Sequence, residues 1–476
     1  MRRPHGRVGN LTDPTPERAA GPSAGIAIAC PVVFGRRLLV LLLVLAAIGV
    51  PAGVLRAACA GKSCPADVAQ ARVPFCPLPA ELRAKLAAGF HEGRSPDVMA
   101  VSGASAVVEG TGAGPWPSVA DASTVTAVPI AFIGTGIKPG AVIPRGTGLD
   151  AIAPTLSQVL RFSRPHPEVR AGKAVDGVAD GERPRLVLEV AWKGVGTYEL
   201  RHDPRSWRSL RSLMRRGTAT LAGDTGSLPL DPAATLTTIG TGGLPSQHGI
   251  TGALVRNDGG RVVKPWGPGS PFSVIATLPD DLDQAMDQRP LIGLVASDQA
   301  DRGIVGGNWY VGHDRDAMVI ATGSSAVTAA ERLLAEGFGR DDVPDILAVV
   351  LNGSVGSIDR RTRALVAAAE RAAGGSVTVA IAGTGSGSGV EVGSTDAARI
   401  RDSDIVSQVD AEVAGDQNVI AGAVPGGLFL DQEALAREGI SGDAVVQSML
   451  QVTAPDGARV FDDAFQGFAV SFGRYC

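Results

Sequence analysis

Short apolar segments alternate with alanine-rich segments over about 200 residues in the middle of the chain. The apolar segments are Leu186–Val190, Leu291–Val295, Ala317–Ala321, Ile346–Leu351 and Val377–Ala382, and the alanine-rich ones are Ala326–Gly337 and Arg361–Ala373. Strands that alternate with helices predict an α/β sandwich with a mainly parallel central sheet. A chain of 476 residues, 45% of them hydrophobic, is long enough to bury such a core. No repeat of fixed period is evident, which excludes a solenoid.

The first 60 residues follow a different pattern. Residues 1–37 are rich in Pro, Gly and Arg and predict a disordered cytoplasmic tail. Leu38–Ala60 begins with an apolar run of 18 residues, close to the ~20 that span a bilayer. Ala58-Cys59-Ala60 fits a signal-peptidase site, so the segment is either a cleaved signal peptide or a membrane anchor. Because Arg36-Arg37 precede it, both alternatives place the rest of the chain outside the cytoplasm.

The remaining chain is predicted to contain a linker with a lead-in helix, 61–88, and one folded domain, 89–476. Seven arginines against Asp13 and Glu17 give residues 1–60 a net charge of +5. Since the whole chain carries −4, the remainder carries −9. A domain of this charge repels a phosphate backbone, which excludes a nucleic-acid partner.

Residues Thr238–Gly252, TIGTGGLPSQHGITG, form a run rich in Gly and Pro around one histidine. A surface turn would by itself account for such a composition. The run also resembles the TG-x-x-P-x-x-HGI-x-G run of the alkaline phosphatase superfamily, a family of metal-dependent phosphodiesterases and phosphatases. The matching residues, for which the resemblance implies a structural role, are Thr241, Gly242, Pro245, His248 and Gly249.

Other segments resemble the same family, but their order is changed. Pro184–Val190, Val343–Leu351 and Ser376–Gly383 resemble its strands that end in Asp-Gly, precede Asp-x-x-Gly-His and end in Asp-His-Gly. Val128–Gly140 (VPIAFIGTGIKPG) and Gly148–Leu156 (GLDAIAPTL) are similar to its closing segment. In the family that segment lies near the C-terminus, whereas here it precedes the first strand. The chain is therefore predicted to be circularly permuted.

The resemblance also locates the cut. Residues 89–178 are equivalent to the C-terminal part of the family, and residues 184–476 to its N-terminal and middle parts. Gly89–Val101 resembles the strand that follows a late insertion, and Gly427–Gln451 resembles the insertion itself. Permutation is tolerated where chain ends lie close together at the surface.

Three cysteines follow the apolar segment: Cys64, Cys76 and Cys476. An odd number leaves one of them unpaired or intermolecular. The permuted order implies a disulfide between Cys76 and Cys476 that ties the new ends together. A loop closed by Cys64 and Cys76 is the alternative.

The residues that bind metal in the family are absent. A two-zinc site needs about six Asp and His ligands and a Thr or Ser nucleophile. The resemblance places the ligand positions at Lys193, Gly353, Ser357, Thr384, Gly385 and Ser118, and the nucleophile at Pro232 or Asp231. None of the ligand positions holds a residue that binds zinc as the family does, so no metal cofactor is expected.

Two of these positions have further interpretations. Asp231 followed by Pro232 predicts a helix N-cap with proline at the first helical position. Thr235, the nearest hydroxyl downstream, would lie a turn too far into that helix to replace the nucleophile. Lys193 either replaces the missing cation and neutralises a carboxylate such as Asp231, or points to solvent from the end of its strand.

The segment after the strand at 377–382 suggests a third kind of site. Backbone N–H groups of Thr384, Gly385, Ser386 and Gly387 could bind an anion without metal. The segment lacks the Lys-Ser/Thr ending of a phosphate-binding loop. A flexible loop left where ligands were lost is the other interpretation.

These features favour a non-catalytic protein with a binding or scaffolding role at the cell envelope. It would be secreted or held in the membrane by its N-terminal segment, and its envelope partner is not identified by the sequence. Two alternatives stay open. One is a metal-dependent phosphodiesterase or phosphatase with an atypical site, and the other is an anion- or glycan-binding module.

Overall fold

The computed structural model describes residues 74–103, 106–109, 114–307, 309–310, 317–387, 398–473 and 476. The strands are β1 (Val98–Ser102), β2 (Ala106–Glu109), β3 (Ala127–Gly134), β4 (Leu186–Trp192), β5 (Thr218–Asp224), β6 (Val255–Arg256), β7 (Val262–Val263), β8 (Ile292–Ala296), β9 (Ala317–Ile320), β10 (Asp345–Leu351), β11 (Val377–Gly383), β12 (Ala398–Arg401), β13 (Ile420–Val424), β14 (Gly427–Leu430) and β15 (Phe461–Gln466).

The α-helices are α1 (Ala80–Gly89), α2 (Ala122–Val125), α3 (Ile152–Leu160), α4 (Thr197–His202), α5 (Arg208–Arg216), α6 (Pro232–Thr241), α7 (Pro245–His248), α8 (Leu278–Ala285), α9 (Ser324–Ala335), α10 (Val355–Ala372), α11 (Asp402–Ala414), α12 (Gln432–Glu438), α13 (Gly442–Gln451) and α14 (Ala469–Phe472). Short 3₁₀ helices cover Leu149–Ala151, Pro167–Val169 and Gln299–Ile304.

The five apolar segments of the sequence pattern form neighbouring strands. Within the described ranges they belong to a seven-stranded sheet with the order β5-β3-β11-β4-β10-β8-β9. The pairs β11–β4, β4–β10, β10–β8 and β8–β9 are all parallel. Only β3 runs against its neighbours β5 and β11 in this sheet as described. The prediction of an α/β fold with a mainly parallel central sheet is confirmed.

Helices cover both faces of this sheet because each carries an apolar stripe. In α10 the buried residues Ile358, Thr362, Leu365 and Ala369 recur three or four positions apart, which puts them on one side of the helix. The helices α5, α9 and α10 pack on one face of the sheet, and α3, α6 and α8 pack on the other. Each fully buried leucine at these contacts contributes about 1.5–3 kcal/mol.

A second sheet joins two segments that are distant in the chain. Its order is β13-β14-β1-β15, and helices α11 and α13 share its apolar core. The strand β1 pairs antiparallel with β14, with Val98 opposite Leu428. The two segments that the resemblance places on either side of the predicted cut, Gly89–Val101 and Gly427–Gln451, are thus neighbours in space. The permutation itself stays a prediction.

A disulfide joins Cys76 to Cys476, with 5.2 Å between their Cα atoms. This pairing is the one that the permuted order implies. Beside it the ring of Phe75 packs edge-on against Phe465, with centroids 5.0 Å apart. Cys64, the alternative partner of Cys76, lies outside the described residues.

Replacing both Cys76 and Cys476 by serine is expected to lower the free energy of unfolding by about 2–4 kcal/mol. The bond restricts the unfolded chain across a sequence separation of 400 residues, and such constraints are typically of this size. Urea unfolding of the full chain, monitored by circular dichroism, measures the difference. Cys64→Ser is the matched control, for which no change is expected. An unchanged unfolding midpoint in the double variant would contradict the prediction.

The predicted membrane segment, residues 38–55, lies outside the described residues. In the part of the chain that the structure describes, no helix has both the length and the apolar character needed to cross a bilayer. Residues 73–476 form one compact unit. Helix α1, which the sequence places in the lead-in segment, packs into that unit through Leu82 and Leu86.

Candidate functional site

Three of the predicted ligand positions meet at the carboxyl edge of the central sheet. Strands β4, β10 and β11 end level with one another, because Trp192 pairs with both Leu351 and Gly383. Lys193, Gly353 and Thr384 follow these strand ends within two residues. Ligands of open α/β sheets bind at this edge. The arrangement therefore puts the degenerate positions where a site would lie.

Asp231 caps helix α6 at the same edge. Its Oδ1 accepts a hydrogen bond from the Ala233 N–H (2.7 Å) and its Oδ2 one from the Ala253 N–H (2.9 Å). Pro232 occupies the first helical position, so the N-cap prediction is confirmed. Burial raises the pKa of the Asp231 carboxyl, while these N–H groups and the charge of Lys193 oppose the rise.

Thr235 does not offer a free hydroxyl to this site. Its Oγ1 lies 3.2 Å from the carbonyl oxygens of both Asp231 and Pro232 and donates to them. The side chain is 1% exposed. As predicted, it lies too far into helix α6 to replace a nucleophile at the helix start.

Lys193 forms an ion pair that the sequence analysis did not identify. Its Nζ lies 2.6 Å from Asp301 Oδ1 and 3.3 Å from Ser297 Oγ. The side chain of Lys193 is 19% exposed and that of Asp301 is fully buried. The ammonium therefore does not point freely to solvent. Its direct carboxylate partner is Asp301. Asp231 is the partner suggested from the sequence, and the positive charge of Lys193 acts on its pKa through space.

Asp301 is held in place by its own neighbours. It accepts hydrogen bonds from the N–H groups of Ser297 (3.0 Å) and Asp298 (2.9 Å) and from Ser297 Oγ (2.6 Å). The turn follows strand β8 directly, which brings the carboxylate to the same sheet edge as Lys193. A signal was present in the sequence, because Ser297–Asp301 reads Ser-Asp-x-x-Asp after a buried strand.

A cavity of about 320 Å³ opens above these groups. Its charged lining residues are Lys193, Lys264, Asp231, Asp298 and Asp301, and its other lining residues are Pro232, Ala233, Ala253, Leu254, Ala300, Ala423, Val424 and Pro425. Asp298 caps the 3₁₀ helix Gln299–Ile304 by accepting from the Ala300 N–H. Most of the wall is therefore apolar, and its acids bind groups of the protein itself.

A guanidinium fills the space beside Gly353 and Ser357. Arg361 donates to the carbonyl oxygens of Asn352 (2.5 Å), Gly323 (3.1 Å) and Ser357 (3.3 Å). Gly353 has φ +117°, and a Cβ added there would lie 3.2 Å from the guanidinium. Burial lowers the pKa of Arg361. A second cationic side chain thus stands where the resemblance places two ligands.

In the candidate anion loop, Thr384–Gly387, three backbone N–H groups already donate to carbonyl oxygens of the protein. Three N–H groups donate to carbonyl oxygens: Thr384 to Trp192 (3.2 Å), Ser386 to Val125 (2.9 Å) and Gly387 to Gly194 (3.0 Å). The Ser386 hydroxyl donates to the Glu199 carboxylate. Gly385 has φ +99°, a conformation that favours glycine. Anion binding by this loop stays a prediction, although these donors already have partners and a carboxylate lies beside them.

Ser118, the remaining predicted ligand position, has a local role. It is buried and pairs with Ser102 in an isolated bridge. Its Oγ accepts from the Ala120 N–H at 3.3 Å. This turn precedes the short helix α2.

His248 of the signature run is a buried structural residue. Its Nδ1 accepts from the Ile250 N–H (3.1 Å), so the proton lies on Nε2, which donates to Thr238 Oγ1 (3.1 Å). The ring is fully buried. Burial, with smaller effects of His91 and Arg94, lowers the pKa of His248 to about 3. The imidazole therefore fastens the turn to helix α6 in its neutral form.

The other signature residues shape the same turn. Gly242 ends helix α6 with φ 74°, and Gly249 ends α7 with φ 76°. Pro245 is the first residue of α7. Thr241 Oγ1 donates to the Thr237 carbonyl (2.7 Å) and accepts from the Gly243 N–H. These roles are structural, in agreement with the resemblance.

The residues at this edge do not fit a zinc pair. Among the described residues no three or more His, Cys, Asp or Glu side chains converge as metal ligands. At the six positions that the resemblance assigns to ligands, the available groups are one ammonium, three hydroxyls and the backbone of two glycines. Zinc prefers thiolate, imidazole and carboxylate. The site therefore does not fit zinc, because the groups present are not the ligands that zinc prefers.

Comparison with known proteins gives few matches. No protein-family model matches the chain, and neither does any curated protein. A solved structure of a quadruple variant of alkaline phosphatase PafA is similar, with a TM-score of 0.40 and 14% identity. It covers 60% of this chain and 86% of that one.

Wild-type alkaline phosphatase PafA is also similar, with a TM-score of 0.35 and 13% identity over 60% of this chain and 85% of that one. Values this low say nothing about activity. The stronger observation is internal, since the segments that resemble the family form neighbouring strands whose ends align beside the signature helix. This is the mainly parallel α/β arrangement that the resemblance implies.

Proposed function

We propose that the protein is a non-catalytic, extracytoplasmic relative of the alkaline phosphatases with a binding or scaffolding role at the cell envelope. One observation carries the proposal: the protein's own side chains bind one another at positions that the resemblance assigns to a metal ligand and to the nucleophile. Lys193, at a position that the resemblance assigns to a metal ligand, binds Asp301 at 2.6 Å. Asp231 takes the start of the helix that would carry the nucleophile.

The cationic side chains oppose metal binding. Lys193 follows strand β4, and Arg361 fills the space beside Gly353 at the end of β10. Two unit charges of like sign 4 Å apart repel by about 4 kcal/mol at an effective dielectric constant of 20. A divalent ion would experience about twice that repulsion from each cation. The carboxylate closest to Lys193, that of Asp301, already binds the ammonium.

The anionic cap opposes phosphate binding. The first N–H groups of a helix attract anions, and a phosphate would bind there. At helix α6 that place holds the Asp231 carboxylate, to which the N–H groups of Ala233 and Ala253 donate. A phosphate group would need these donors and would be repelled by the carboxylate. No hydroxyl stands at this position in place of the carboxylate.

Purified full-length protein is expected to contain no stoichiometric zinc and to leave bis(p-nitrophenyl) phosphate unhydrolysed. Elemental analysis after dialysis against micromolar zinc measures the first quantity, and release of p-nitrophenol measures the second. Asp231→Thr is the matched control. It restores a hydroxyl but no ligand, so the same result is expected. About two zinc ions per chain together with turnover would overturn the proposal in favour of the phosphodiesterase alternative.

The N-terminal segment supports the proposed location. The apolar run at 38–55 would hold the protein in the membrane, or would direct its secretion if it is cleaved. The sequence says of the envelope partner only that it is not a nucleic acid. The chain beyond residue 60 carries a net charge of −9, which repels a phosphate backbone. The cavity of about 320 Å³ at the sheet edge is the proposed binding region.

A further inference from the structure

Two phenylalanine rings project from the surface beside the disulfide. Phe468 is 54% exposed and Phe472 is 58% exposed, at the start and end of helix α14. The rings contact each other edge-on, with centroids 6.3 Å apart. Large aromatic side chains are usually covered in a soluble domain, and contiguous exposed apolar surface is a feature of interaction sites.

A cavity of about 400 Å³ continues this apolar surface inward. Its walls include Phe75, Phe465 and Val446 in addition to the two exposed rings. Of the described residues that line it, Asp443 has the only charged side chain, and its Oδ1 accepts from Gln466 Nε2 at 2.5 Å. The surface is therefore apolar in character, with little charge to attract an ionic partner. We call the rings and this cavity the Phe468/Phe472 face.

The chain leaves the described domain at this face. Pro74 and Cys76 line the cavity, and Cys76 is fixed there by its bond to Cys476. The predicted apolar run ends at Leu55, and 18 residues, 56–73, separate it from Pro74. A chain of that length reaches at most about 60 Å. Attachment of the run to a bilayer would hold the face within that distance of the lipid surface and raise its effective concentration there.

We infer that the Phe468/Phe472 face docks on the surface of a lipid bilayer and orients the domain on the membrane. Aromatic rings are favourable at the boundary between headgroups and acyl chains. Because the face carries little charge, docking depends on apolar burial and is insensitive to salt. The inference rests on the membrane attachment proposed above and adds a second, weaker contact made by the folded domain.

The test uses the full chain reconstituted in phosphatidylcholine vesicles that contain brominated acyl chains. Phe472→Trp places a fluorophore on the face, and the signal of the protein without it is subtracted. Ile320→Trp is the matched control, since Ile320 is also 54% exposed but lies on the edge strand β9. Bromine quenches tryptophan only within the bilayer. We expect about twofold quenching of Trp at position 472 and none at position 320, at both 50 mM and 500 mM salt.

A second variant tests the role of the neighbouring ring. Phe468→Asp in the Phe472→Trp background is expected to abolish most of the quenching, because a charge at the face opposes burial in lipid. Vesicle flotation separates the possible outcomes. Protein that floats while tryptophan at 472 stays unquenched overturns docking and leaves the anchor intact. Protein that does not float overturns both the anchor and the docking that rests on it.

Discussion

Replacing Glu189 by glutamine is expected to stabilise the protein by several kcal/mol at alkaline pH. Glu189 lies in the middle of strand β4 and is 3% exposed. Its Oε1 has no hydrogen-bond partner among the described residues, and Glu189 lines a cavity of about 10 Å³ together with apolar residues such as Ile239 and Ala380. Burial raises the pKa of Glu189 to about 8, and the positive charge of Arg164 opposes the rise.

The sign of the pH dependence follows from this pKa. The carboxyl has a pKa of 4.5 in the unfolded chain and about 8 in the folded protein. Its stabilising contribution is therefore fully present below pH 4.5 and is lost as the pH rises to 8. The total loss is about 5 kcal/mol, of which about 3 kcal/mol is lost by pH 7. Above pH 8 both states are ionised and the loss stays constant.

Urea unfolding at pH 5, 7 and 9 measures the effect. Burying the glutamine amide costs about 1–3 kcal/mol at every pH. The informative quantity is therefore how the difference in free energy of unfolding between wild type and variant changes with pH. That difference is expected to shift by about 4 kcal/mol in favour of Glu189→Gln between pH 5 and pH 9. Glu370→Gln, on the exposed side of helix α10, is the control. A difference that does not vary with pH would contradict the prediction.

Replacing Lys193 by methionine is expected to lower the free energy of unfolding by about 3 kcal/mol at neutral pH. Methionine keeps the apolar stem and removes the ammonium that binds Asp301 at 2.6 Å. The carboxylate would then be buried without its cation, which typically costs 3–5 kcal/mol. Its hydrogen bonds from Ser297 and Asp298 reduce the loss toward the lower value.

A double-mutant cycle with Asp301→Asn isolates the pair. If the pair interacts as described, the double variant loses less stability than the sum of the single variants, by at least about 1 kcal/mol. Lys264→Met is the matched control, because Lys264 lines the same cavity but is exposed. A loss below about 0.5 kcal/mol in Lys193→Met would instead support the interpretation that this lysine points to solvent.

The core of the fold could be predicted because its strands are buried on both faces. Such strands are nearly continuous apolar segments, as in Ile346–Leu351, and they stand out against the alanine-rich helices. The direction of β3 could not be predicted from Val128–Gly140, since an apolar segment has the same pattern in either orientation. The second sheet was also not predicted, because its strands are short and come from both ends of the domain.

Two residues of the candidate site could be identified from the sequence, whereas the residues that contact the candidate positions could not. Lys193 and Asp231 were identified because the resemblance assigns a role to their positions. Asp301 was missed, since it belongs to a turn for which the resemblance assigns no ligand. Arg361 was missed because its helix position gives no indication that its side chain reaches back to the Asn352 carbonyl. Both contacts form because segments that are distant in the sequence lie close together at the strand ends. The spacing of residues along the chain does not reveal this proximity.

The disulfide between Cys76 and Cys476 has a consequence for proteolysis of the domain. It closes a covalent ring around nearly the whole folded domain, with a sequence separation of 400 residues. A single cut in any exposed loop within that ring leaves both fragments joined to the segment that precedes Cys76. If the N-terminal segment attaches the protein to a membrane, as proposed, release of the whole domain would therefore require a cut before Cys76. After a single cut within the ring, a second cut there or reduction of the bond would release only part of the domain.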